Sequence, residues 1–118
     1  MLPSGRSLEF SPPKMSNSEF VKIADVTELP AEGEVGEFTA GDRQICIANV
    51  GGSYCALDNV CPHQGGPLGM GYLEGKKLVC PWHGWEFDAT TGKLWQTERP
   101  GVEAYELRVE GESVLVKL

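Results

Sequence analysis

The chain has 118 residues, enough for one ordinary domain, and its 41% hydrophobic and 23% charged residues argue against a disordered tail or a fibre. Lys and Arg number 10 against 17 Asp and Glu, a net charge of −7 that argues against a nucleic-acid binder, which needs a basic face. There are only two histidines, His63 and His83, so any centre requiring three is excluded.

Residues 1–14, rich in Ser, Pro and Gly, read as a leader or N-terminal extension ahead of one domain over 15–118. The first residues contain no apolar stretch of a secretory kind. The longest apolar runs, such as Ile45-Cys46-Ile47-Ala48, have strand length and fall far short of the roughly 20 residues that span a bilayer. The expected compartment is the reducing cytoplasm, where cysteines are free thiols or metal ligands. From Phe20 onward, short strands alternate with turn signals. Phe20–Ile23 precedes a turn with Pro30 and Gly33, and Glu34–Thr39 precedes Gly41-Asp42. Arg43–Val50 and Ser53–Val60 flank Gly51-Gly52, a glycine pair suited to a tight hairpin. That turn sets residue 50 against 53 and 46 against 57, with Cys46 diagonal to Cys55 on one face; both are expected to be buried free thiols. Near the C-terminus, Glu103–Val109 and Ser113–Leu118 flank Glu110-Gly111, and Tyr105, Leu107 and Val109 share one face. No helical periodicity of useful length is present. The expected fold is all-β, an antiparallel barrel or sandwich.

Between the hairpins, residues 59–100 lack regular alternation. They hold both histidines, all three tryptophans and two of the four cysteines. A stretch this long without pattern is functional or disordered, and its aromatic content favours function. Its core is Cys61-Pro62-His63, sixteen residues, then Cys80-Pro81-Trp82-His83. Two thiolates and two imidazoles, one of each per loop, are a complete tetrahedral set for zinc. They also suit an iron–sulfur centre with both thiolates on one iron and both imidazoles on the other. Three features favour iron and sulfide. Each loop is mixed rather than a paired-cysteine knuckle; Gly65, Gly66 and Gly84 leave backbone N–H groups open toward sulfur; and Trp82, Trp85 and Phe87 suit a polarizable cluster.

From Cys61 to Lys93 the chain closely resembles the Rieske family. That resemblance implies a β-rich base domain with an inserted cluster-binding subdomain and one [2Fe–2S] cluster. Cys61 and Cys80 would hold the inner iron, His63 and His83 the outer. Rieske proteins of the cytochrome bc type carry a further cysteine in each loop, joined as a disulfide; Gly66 and Trp82 stand at those positions here. The hydroxyl donors of their second loop are replaced by Trp85 and Phe87. Hydrogen bonds to sulfur favour the reduced state, so fewer of them imply a potential toward the low end of the roughly −150 to +300 mV Rieske range. Two ferric ions, two sulfides and two thiolates sum to no net charge with neutral imidazoles. One electron makes the site singly negative.

The departures point to the soluble ferredoxin type. The function so implied is a one-electron carrier, not an enzyme in itself, between a flavin-containing NAD(P)H reductase and a terminal oxygenase of the aromatic-ring dioxygenase kind. It would be a monomer binding neither nucleic acid nor membrane. An oxygenase catalytic subunit is excluded, since its mononuclear iron needs two further histidines. The alternatives are the small Rieske-like subunit of an assimilatory nitrite reductase and a structural zinc module. Among the remaining residues, Pro62 and Pro81 stiffen the loops and Asp88 is expected to cap the turn through Thr90-Thr91-Gly92. Trp82, Trp85 and Phe87 are packing rather than a conduit, and Pro100 is a candidate third cover for the cluster. The acidic excess over 31–60 (Glu32, Glu34, Glu37, Asp42 and Asp58 against Arg43) suits steering toward a basic partner.

Overall fold

The computed structural model describes residues 20–62, 65–82, 84–95, 97 and 101–118. Among these residues nine strands follow in order: β1 (Phe20–Asp25), β2 (Val35–Ala40), β3 (Arg43–Val50), β4 (Ser53–Asp58), β5 (Tyr72–Glu74), β6 (Lys77–Val79), β7 (Glu86–Asp88), β8 (Ala104–Glu110) and β9 (Ser113–Lys117). The only helical turns among the described residues are single 3-10 turns at Val26–Glu28 and Leu68–Met70. All strand pairs among the described residues are antiparallel. One sheet runs β1-β9-β8-β4-β3-β2, and β5-β6-β7 forms a second. The edge strands β1 and β2 approach each other, curling the larger sheet toward a barrel. The all-β expectation holds. The leader expected over residues 1–14 lies outside the described residues.

The run Ile45-Cys46-Ile47-Ala48 is explained by burial of β3 on both faces. Alternate side chains point to opposite faces of a sheet. Ile45 and Ile47 enter one core with Ala24, Ala40, Ala56, Val114 and Val116. Cys46 and Ala48 enter another with Leu57, Leu68, Leu78, Phe87 and Ala89, together with Cys61 and Cys80. The first core fills the curled sheet; the second joins it to the inserted β5-β6-β7 layer. A strand shared by two cores ties the insertion to the base.

The β3–β4 hairpin has the expected register, with Val50 opposite Ser53 and Cys46 opposite Leu57. Gly51 and Gly52 both adopt positive φ (61° and 95°), as a two-residue turn matched to strand twist requires. Cys46 and Cys55 are free thiols, Cys46 buried and Cys55 half-buried. Burial pushes the Cys46 thiol up to about 12, with Glu37 and Cys55 adding to it, so it is inert at neutral pH.

Cys55, expected buried, is only half-buried, and two further features differ from the sequence reading. Tyr105 and Leu107 pack on the base core, but Val109 is 45% exposed. Strand β4 pairs with β8 only at Ala56–Tyr105 and Leu57–Ala104, so the far end of β8 has lost that neighbour. The segment 59–100 also contains regular structure, β5 to β7. Each strand is three residues long, too short for alternation to register, although Gly75 at φ 64° marks the β5–β6 turn.

Candidate metal centre

Two loops at the ends of these strands present the cysteines. The first leaves β4, and its base is pinned by the bridge between Val60 and Pro67. The second connects β6 to β7. They share one construction. The Cys61 N–H donates to the Gly66 carbonyl at 2.9 Å, and the Cys80 N–H to the Trp85 carbonyl at 2.8 Å, so each loop closes across six residues. In each, the fourth residue after the cysteine is a glycine in the left-handed region, Gly65 at φ 76° and Gly84 at φ 72°. Only glycine enters that region without a steric cost, which is how both loops turn back so tightly.

Cys61 and Cys80 are 1% and 2% exposed and lie in one apolar core with Leu68, Leu78 and Phe87. Burial raises the Cys80 pKa, the Trp82 N–H bond lowers it, and the adjacent Cys61 sulfur raises it again; the balance is upward. Two buried thiols side by side, unlinked by a disulfide, ionise favourably only with positive charge between them. That is the donor chemistry of a metal centre. His63 and His83 lie outside the described residues, as does Pro100. Among the described residues alone no group of three or more metal-binding side chains is assembled.

Among the described residues, a backbone N–H reaches a ligand sulfur at Trp82, and of the three glycines Gly65 is turned elsewhere. The Gly65 N–H is used on the Cys61 carbonyl at 2.8 Å, whereas the Trp82 N–H donates to Cys80 Sγ at 3.4 Å. Gly66 supplies space instead. A Cβ there would stand 2.8 Å from Cys80 Sγ and 3.0 Å from both Cβ and Cγ of Trp82. The two positions expected to carry a disulfide in the bc type do face each other, and here the contact is glycine against tryptophan. Phe87 is fully buried, and its ring offers no hydroxyl to any sulfur. Trp85 packs against the same core, while Trp82 is half exposed.

Behind the second loop, Asp88 caps the turn that ends β7. Its Oδ1 accepts the Thr90 N–H at 2.9 Å and the Thr90 hydroxyl, and its carbonyl accepts the Gly92 N–H at 2.7 Å. Burial pushes the Asp88 carboxyl up, but the two Thr90 bonds, helped by Lys76 and Lys93, outweigh it and leave the pKa lowered. A carboxyl with a depressed folded pKa adds stability above its unfolded value of about 3.9, and loses it as pH falls through the folded value. Thermal melts should therefore show Asp88→Asn less stable than the parent at neutral pH, the gap closing below about pH 4. A gap independent of pH would assign the loss to geometry rather than charge.

The sequence residues 19–106 match the family model described as Rieske [2Fe-2S] domain. The ferredoxin component of the naphthalene 1,2-dioxygenase system of Pseudomonas aeruginosa is 33% identical over 101 residues, covering 85% of this chain and 96% of that protein. The ferredoxin component of the alkene monooxygenase system of Xanthobacter autotrophicus is 31% identical over 99 residues, 83% of this chain and 80% of that one. Among solved structures, the ferredoxin of carbazole 1,9a-dioxygenase from Nocardioides aromaticivorans IC177 superposes with a TM-score of 0.72 at 28% identity, covering 83% of this chain and 96% of that chain.

Proposed function

The chain belongs to the Rieske [2Fe–2S] family, and from that premise we propose that Cys61 and Cys80 ligate one iron of its cluster and His63 and His83 the other. The buried, adjacent cysteines and the C-x-H and C-x-x-H spacing support this ligand set. The protein is a one-electron carrier, the ferredoxin component that supplies a terminal oxygenase, and it makes or breaks no covalent bond itself. The observation that carries this reading is the two-loop thiol site in a chain spanning 96% of an oxygenase-system ferredoxin. Once bound, the cluster supplies reversible one-electron chemistry.

The chain's own residues hold and shield that centre. Leu68, Leu78 and Phe87 exclude water from the cysteine side, and the Trp82 N–H offsets charge on Cys80 Sγ. Among the described residues one such bond reaches sulfur, and this with a hydroxyl-free Phe87 favours a midpoint toward the low end of the family range. Around the loops the surface is apolar. Val60 adjoins Cys61, Trp82 lies inside the second loop, Met70 follows the first, and Tyr72 pairs with Val79 beside Cys80; all four are exposed. Such a rim suits brief docking that brings the centre close to a partner. Glu32, Glu34, Glu37 and Asp42, exposed on or beside β2, extend a negative field that steers the monomeric protein toward basic surfaces on the oxygenase and on a flavin-containing NAD(P)H reductase. Among the described residues no helix is long and apolar enough to cross a membrane; the proposed location is the cytoplasm.

Stopped-flow mixing of the reduced protein with terminal ring-hydroxylating oxygenases tests the role. Transfer of one electron per protein, slowing as ionic strength rises, is expected. Reoxidation by a nitrite reductase flavoprotein and by no oxygenase would contradict it.

A further inference from the structure

We propose that Asn59 and Glu37 form a positioning clamp that fixes the first ligand loop on the base domain and so holds Cys61 in place. This rests on the cluster reading above. Asn59 is two residues before Cys61, is 1% exposed, and has every polar group engaged in three different segments. Its N–H donates to the Gln44 carbonyl of β3 at 3.1 Å, and its carbonyl accepts the Leu68 N–H at 2.8 Å. Its side-chain Oδ1 accepts the Gly69 N–H at 2.7 Å, and its Nδ2 donates to Glu37 Oε2 of β2 at 2.8 Å. One side chain thus gathers the outgoing limb of the loop, the returning limb and the base sheet.

The local sequence is built around this contact. Gly69 has no room for a side chain: a Cβ would stand 2.5 Å from Glu37 Cγ, 2.8 Å from Asn59 Oδ1 and 2.8 Å from the Gly36 carbonyl. The orientation of the amide is fixed by its neighbours, because an N–H must face oxygen and a carboxylate must face nitrogen. A side chain with one acceptor edge and one donor edge is required, and asparagine is the short residue that has both. Glu37 is otherwise a solvent-facing residue of an edge strand. Its carboxylate is turned to a buried amide, where a hydrogen bond to a charged group is stronger than a neutral one. The clamp matters for a carrier because the centre changes charge in each cycle while its ligand loop must keep one geometry.

The test is a swap in the full-length holoprotein, comparing Asn59→Asp, Glu37→Gln and the double variant with the parent. Asn59→Asp keeps the acceptor for Gly69 but sets two carboxylates against each other. Glu37→Gln keeps an acceptor for Asn59. In the double variant the amide introduced at position 37 donates to the carboxylate introduced at position 59, reversing the bond with the parent's net charge. Cluster loss to a chelator, followed by visible circular dichroism, is expected to be about ten- to a hundredfold faster in Asn59→Asp. Its reduced electron paramagnetic resonance spectrum should shift. Glu37→Gln and the double variant should both return to near-parental decay and spectrum. If Asn59→Asp does not fold, a folded, cluster-stable double variant still carries the proposal. Parental behaviour of Asn59→Asp, or a double variant as defective as Asn59→Asp, would overturn it. A parent protein that binds no cluster at all would overturn the underlying reading as well.

Discussion

Replacing Gly66 with alanine is expected to deprive the protein of its cluster, while the same change one residue earlier leaves it largely in place. Gly66 has an ordinary backbone conformation, so the alanine backbone is unstrained and the whole effect is steric. The new methyl would lie 2.8 Å from Cys80 Sγ and 3.0 Å from Trp82 Cβ and Cγ, in a core that holds both cysteines. The Trp82 atoms are the root of its side chain, and Cys80 Sγ cannot turn away without leaving its place as a ligand. Overpacking of this kind costs about 1–3 kcal/mol, and here it falls on a ligand sulfur, so cluster content should drop about tenfold or more. Gly65 is the opposite case. It has φ 76° with nothing within 4 Å of a Cβ, so Gly65→Ala meets only the left-handed backbone penalty, about 1–2 kcal/mol. It should lower the melting temperature and keep the spectrum. Iron and sulfide analysis with visible absorption separates the two. A Gly66→Ala protein with full cluster content would show that the second loop can shift without loss, contrary to the packing described.

The second large effect divides the four cysteines. Cys80→Ala is expected to abolish the cluster, because it removes one thiolate of the pair and leaves Cys61 alone in an apolar core. His83→Cys is expected to lose the native spectrum, since a thiolate replaces an imidazole and adds a negative charge. Cys46→Ala should keep the cluster intact, although Cys46 belongs to the same buried core as the ligand cysteines. It points from β3 opposite Leu57 and leaves only a methyl-sized void, worth about 1 kcal/mol of stability. Cluster content and thermal melts on the three variants check the division. A native spectrum in Cys80→Ala or His83→Cys would refute the ligand set. Loss of the cluster in Cys46→Ala would bring a third cysteine into the site.

Much of this was legible in the chain because the signals were local. Gly51-Gly52 set a register that the structure reproduces pair by pair, and the turn residues between apolar runs marked the ends of the long strands. The two ligand loops were visible for the same reason: their chemistry is compressed into four- to six-residue motifs. What escaped was short or long-range. Strands β5 to β7 have three residues each and draw their stability from packing on Leu78 and Phe87 rather than from pattern. The role of Gly66 depends on Cys80 and Trp82, more than a dozen residues away, and no local rule separates it from the adjacent Gly65. That the Gly65 N–H closes its own loop on the Cys61 carbonyl, while the Trp82 N–H reaches Cys80 Sγ, is a fact of three-dimensional folding. Asn59 and Glu37 are 22 positions apart, and only the structure joins them.

Pulsed electron–nuclear spectroscopy of the dithionite-reduced protein, prepared with and without nitrogen-15 histidine, tests the central claim most directly. Two strongly coupled histidine nitrogens on one iron, both changing with the label, are the result the proposed ligand set predicts. A signal with no histidine coupling, or a colourless protein containing zinc, would contradict it.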